Sequence, residues 1–248
     1  LLGDANRSGI LIRKWSLASI ASAYIQTKHA PWQHPNHKQK IENWLSKVAN
    51  TVVSDFSTNP QNNSRQNNHL YWAAWSVALT SYAVQDQSLF NWAMDSAKYG
   101  VQQINMDGTL PQEMARSSRA LLYHVFATSP LAMLAEMGKR NGIDLYTIND
   151  GALHKLVNRS LSGLDDPRFF EDRTGKIQDY QSIISGPGLA WLPVYNFRYN
   201  NQLTAAWNRK APQTLFNRRM GGDMTLLFGE PSQPKPMMSR PIPIPTNE

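Results

Sequence analysis

Asn67-Asn68-His69-Leu70-Tyr71-Trp72-Ala73-Ala74-Trp75-Ser76 is the stretch from which the rest of this chain can be read. An asparagine at 67 or 68 is placed to accept hydrogen bonds from the free amides of a first helical turn. The apolar run behind it predicts a helix from about His69 to Val84. His69 and Trp72, three apart, share a face that Ser76 continues, so an imidazole lies beside an indole at a helix start. Taken alone, the same residues also read as a cap, a surface histidine and a core tryptophan.

Working outward, the same helical spacing recurs. Upstream, Leu11, Ile12, Trp15, Ile20, Ala23 and Tyr24 form one amphipathic set, and Ile41, Trp44, Leu45, Val48, Val52 and Phe56 form another after Pro35. Downstream, Ser88 precedes a helix carrying Leu89, Phe90, Trp92, Ala93, Ala97 and Tyr99, expected to stop near Gly100 or at Asp107-Gly108. A fifth helix begins near Pro111 and is expected to end or kink before Pro130. A sixth runs from Leu131 to Arg140, closed by Asn141-Gly142. Residues 151–161 read as a further helix before Asp165-Asp166-Pro167, and residues 188–199 as one broken by Pro193. No clean β-alternation appears. Consecutive helices with short links predict an all-α fold, either a bundle or antiparallel helical hairpins curved into a toroid. One domain over residues 1–230 is expected, followed by an extended or disordered Pro-rich tail at 231–248.

A chain of 248 residues with an apolar fraction of 41% can bury a sizeable core. No stretch reads as a membrane span and no signal sequence opens the chain. The absence of cysteine excludes disulfides, thiolate metal sites and cysteine nucleophiles. The net charge of +7 is spread over both halves, which fits a polyanion held along a groove or a plain basic surface. Dispersed basic residues without a reader motif argue against nucleic acid. His29, His34 and His37 cluster in a polar connection without a carboxylate or cysteine at a recognised spacing, so no metal site is expected there. Phosphate loops, nucleophile elbows and His-Glu-x-x-His motifs are absent.

Arg116 and Tyr123 stand seven residues apart, two helical turns, and so share a face with Arg119 between them; His124 points elsewhere and reads as structural. Four polar groups, Asn68, His69, Arg116 and Tyr123, converging on one cleft would suit proton abstraction beside a carboxylate.

The block at 67–76, then Leu110-Pro111-Gln112-Glu113 with Arg116, Arg119-Ala120-Leu121 and Tyr123-His124, then Arg219-Met220-Gly221-Gly222-Asp223, resembles the alginate lyases of polysaccharide lyase family 5 in content and order. That resemblance implies an α/α toroid with a deep cleft, a periplasmic setting in Gram-negative bacteria, a monomer, and β-elimination of β-D-mannuronate-rich polymers without metal or other cofactor. It assigns catalysis to Asn68, His69, Arg116 and Tyr123, sugar contact to Trp72, and carboxylate binding to Arg219, with Arg119 also on the substrate side and Arg218 able to take Arg219's place. It further implies that related enzymes begin well upstream of the first helix here, with added helices, a lid and basic residues. A polyuronate-binding helical module without catalysis is the alternative.

Overall fold

Each of the first four long helices starts at a side-chain cap that the local sequence supplies. In the computed structural model, which describes residues 1–31, 34–57, 66–184 and 187–229, Asn6 caps α1 (Arg7–Thr27) by accepting from the Gly9 amide, and His34 caps α2 (Pro35–Phe56) with proline in the first turn. Asn67 caps α3 (Asn68–Val84), its Oδ1 accepting from the His69 N–H at 3.0 Å. Asp86 caps α4 (Gln87–Gln102), which follows α3 after only Gln85 and Asp86, so the two form a tight hairpin.

The chain continues with short α5 (Pro111–Met114), a 3-10 turn at Ser117–Arg119, then α6 (Ala120–Arg140) and α7 (Ile148–Asp165). Smaller pieces follow: α8 (Arg168–Thr174), α9 (Gln181–Ile184), α10 (Leu192–Asn196), α11 (Gln202–Lys210), a two-stranded hairpin of β1 (Phe216–Asn217) and β2 (Gly222–Asp223), and α12 (Met224–Phe228). Among the described residues the fold is all-α apart from that hairpin. Helix α3 is apolar on all sides and accordingly central, packed by α1, α2, α4 and α6. Core residues from every one of these helices join a single cluster.

Three sequence expectations need correction. Helix α4 stops near Gly100, as expected, at Gln102, but the glycine lies inside the helix and is not its terminator: a Cβ there would lie 2.7 Å from the Tyr71 ring, so it serves close helix packing. Helix α6 runs through Pro130. The proline forfeits a backbone hydrogen bond, at a cost of about 3 kcal/mol. Continuous burial from Ala127 to Gly138 holds the helix together across it. Lastly, the helical stretch at residues 117–140 is long and apolar enough to cross a membrane by length and composition, yet 83% of that window is buried inside the protein, as for a core helix. The expected tail at 231–248 lies outside the described residues.

Candidate active site

Asn68 opens α3 fully buried, and its side chain turns to the loop ahead of α6. Glu113, on α5 and 1% exposed, takes both the Asn68 main-chain N–H at 2.8 Å and its Nδ2 at 2.9 Å on one carboxylate oxygen. This fixes the amide orientation, since turning it would set carbonyl oxygen against carboxylate. The other oxygen, Oε2, faces the Arg116 guanidinium at 3.5 Å. Burial pushes the Glu113 carboxyl up, and the Asn68 hydrogen bonds and Arg116 pull it back. Glu113 thus ties the catalytic candidates Asn68 and Arg116 together, a role that no sequence motif assigns to it.

Arg116 and Tyr123 do meet, but not as one helix face. The chain breaks between them: Arg116 caps the 3-10 turn and Ser117 has φ +58°. The turn nonetheless swings the Arg116 guanidinium to 4.9 Å from the Tyr123 ring centre, with that of Arg119 at 5.8 Å. Two cations thus lie against the ring of a half-buried phenol.

His69 is held from the α1 side. Its Nδ1 lies 3.4 Å from the buried Lys14 ammonium and its ring 6.3 Å from that of Trp15. Phe126 of α6 joins the two halves of the site, with ring centres 6.5 Å from Trp15, 5.2 Å from Trp72 and 6.2 Å from Tyr123. Above this floor the β-hairpin delivers Arg219, 4.2 Å from the Trp15 ring and 5.8 Å from Trp72. Trp75 anchors it by donating its indole N–H to the Arg219 carbonyl at 2.7 Å. Arg219 is the inward residue of its pair, and partial burial draws its guanidinium below the ordinary value, while Arg218 is exposed. Both line a cavity of about 910 Å³ with Trp15, Ser16, Phe126 and Asn217, at the upper end of the range for ligand sites.

Trp72 departs from its expected role. At 1% exposure it forms the wall behind Phe126 and Arg219 rather than an open platform for a sugar ring. Trp15, which the sequence marks only as one of α1's apolar positions, lines the cavity instead. Among the described residues no group of three His, Cys, Asp or Glu side chains stands at metal-holding distance. His34 and His37 sit at the start of α2 rather than in a loop.

His124 is structural, as its spacing suggests. Its Nε2 accepts from the Leu110 N–H at 2.9 Å and its Nδ1 donates to the Ala120 carbonyl at 2.7 Å, clamping the loop that carries Glu113 and Arg116 to α6. Accepting from Leu110 needs the neutral ring, and burial pushes the imidazole down to about 4. An unfolded chain binds a proton at this site from pH 6.5 downward while the native one does not until about pH 4. Stability is therefore complete above 6.5 and falls by roughly 3 kcal/mol as pH drops across that interval. The His124 imidazole resonances are expected to stay those of the neutral ring at pH 5; titration near 6.5 would contradict the clamp.

A family model described as alginate lyase matches residues 3–170. An alginate lyase of Cobetia marina is 42% identical over 236 residues, covering 94% of this chain and 62% of that protein. One of Pseudomonas syringae pv. syringae (strain B728a) is 41% identical over 237 residues, with coverage of 94% and 62%. Among solved structures, alginate lyase A1-III from Sphingomonas species A1 matches with a TM-score of 0.79 at 26% identity, covering 90% of this chain and 63% of that one. A histidine-to-alanine variant of A1-III complexed with a tetrasaccharide matches with a TM-score of 0.82 at 25% identity, with coverage of 93% and 67%. The chain spans about 62% of the length of these curated relatives. Its helical hairpins are of the α/α toroid type. By the family match over most of its length and the shared fold, the chain belongs to the alginate lyase family.

Proposed function

We propose that this protein is a polysaccharide lyase cleaving β-D-mannuronate-rich alginate, or a related polyuronate, by metal-independent β-elimination that leaves 4,5-unsaturated uronate ends. The observation that carries the reading is the Tyr123 phenol flanked by two guanidiniums and joined through the Phe126–Trp15 floor to His69. The C5 hydrogen of a uronate is a poor acid because its carboxylate is already negative and abstraction drives more charge onto it. Arg116, with the remaining N–H of Asn68 and the His69 ring, supplies positive charge and donors to that carboxylate. Tyr123, as phenolate, takes the C5 proton; the electron pair forms C4=C5; the C4–O bond breaks; and the phenol returns its proton to the departing glycosidic oxygen. In mannuronate both groups lie on one side of the ring, so a single residue serves both steps. Arg219 over Trp15 would hold the carboxylate of a flanking sugar.

Further support comes from A1-III variants. A histidine-to-alanine and a tyrosine-to-phenylalanine form were each complexed with a tetrasaccharide, and the two altered positions are as far apart in that chain as His69 and Tyr123 are here. Incubation with polymannuronate is expected to produce the ultraviolet absorbance of a conjugated uronate. Salt-sensitive retention on alginate with no absorbance change would favour a non-catalytic binding module instead.

A further inference from the structure

His69 can serve the uronate either as a hydrogen-bond donor or as a base, and the choice rests on which ring nitrogen carries the proton. The described neighbour on the Nδ1 side is Lys14 of α1, which is fully buried at 0% exposure. Its Nζ lies 3.4 Å from His69 Nδ1 and 3.3 Å from the Leu11 carbonyl oxygen. The same Nζ stands 4.3 Å from the Trp15 ring centre and 5.2 Å from that of Phe56. A carbonyl oxygen and two aromatic faces are the contacts an ammonium makes, with three donors and no acceptor. Toward Lys14, Nδ1 can then only accept.

We propose that Lys14 is a positioning residue that fixes His69 as the tautomer protonated on Nε2, so that His69 acts as a donor to the uronate carboxylate and not as a base. Among the described residues, the other charged groups near this corner have partners of their own: Arg13 pairs with Asp55, Arg219 lies over Trp15, and Glu113 pairs with Arg116 beyond Asn68. The consequence for catalysis rests on the lyase reading, whereas the tautomer is a property of the protein without substrate. The arrangement also ties α1 to catalysis through a residue that never touches sugar. Lys14 does for His69 what Glu113 does for Asn68, each holding a neighbouring side chain in one orientation from a buried position.

The test is the imidazole nitrogen spectrum of the nitrogen-15-labelled chain, with His69 assigned by its loss in His69→Gln. The wild-type signal is expected to show Nε2 protonated and Nδ1 bare. In Lys14→Met, similar in length but without charge, the two tautomers should mix and turnover of polymannuronate should fall on the order of 10- to 100-fold as the ring loses its orientation. Lys14→Arg, which keeps a cationic donor, should restore the wild-type spectrum. An Nδ1-protonated ring in the wild type overturns the proposal, as does a folded Lys14→Met protein with an unchanged His69 spectrum. Failure of the wild-type chain to cleave polymannuronate counts against the lyase reading and leaves the tautomer assignment to its own measurement.

Discussion

Replacing Tyr123 by phenylalanine is expected to lower the formation of unsaturated product by about a thousandfold, the scale of a positioned acid or base. The fold should survive. The ring would keep its edge-on contact with Phe126 at 6.2 Å and the guanidiniums of Arg116 and Arg119 over its face, so only a hydroxyl is lost. For a half-buried phenol that loss costs about 1 kcal/mol or less. Initial rates on polymannuronate, beside a thermal melt of the same preparation, separate the two effects. A Tyr123→Phe protein that cleaves at the wild-type rate would remove the phenol from the mechanism.

Glu113→Ala is expected to have the larger effect on stability. The carboxylate is 1% exposed and takes two hydrogen bonds from Asn68 on one oxygen while facing Arg116 with the other. Its removal leaves the first turn of α3 with an unpaired buried N–H and Arg116 without its charge partner. Breaking a buried pair from one side costs about 3 kcal/mol or more. Activity should fall on the order of 100-fold as Asn68 and Arg116 lose their setting. Glu113→Gln separates the two roles: its amide oxygen still accepts from Asn68, so most stability should return, but a neutral side chain holds Arg116 less firmly and activity should stay low. Denaturant midpoints and rates on both variants check this. Full activity in a stable Glu113→Ala protein would show the carboxylate to be dispensable.

Local signals are legible in the chain and long-range pairings are not. The start of α3 is written in Asn67 and the apolar run behind it, and the structure places both the cap and the burial there. Asn68 and His69, adjacent in sequence, turn different ways from the helix start, Asn68 toward Glu113 and His69 toward Lys14 of α1. Helical spacing joins Arg116 and Tyr123 for the wrong reason: it puts them on one face, whereas a turn at Ser117 interrupts the helix and the guanidinium reaches the phenol across it. The pairings of Glu113 with Asn68 and of Lys14 with His69 leave no trace in the sequence, because they span 45 and 55 residues of chain, where no periodicity reports a contact. Trp72 misleads because an indole next to a candidate base looks the same in sequence whether it faces sugar or core. Helix α3 is buried on every side, and the aromatic that lines the cavity is the partly buried Trp15 on α1. The β-hairpin carrying Arg219 has strands of two residues, too short to leave an alternation pattern.

The central claim is that side chains from the start of α3, the turn before α6 and the first turns of α6 close around one uronate. A crystal structure of the Tyr123→Phe protein soaked with a mannuronate tetrasaccharide tests it most directly. One sugar carboxylate should lie within hydrogen-bonding distance of Asn68, His69 and Arg116, with its C5 hydrogen aimed at the edge of the substituted ring where the Tyr123 hydroxyl had been. A tetrasaccharide bound along another face of the protein, or one that presents no carboxylate to those three residues, would contradict the account.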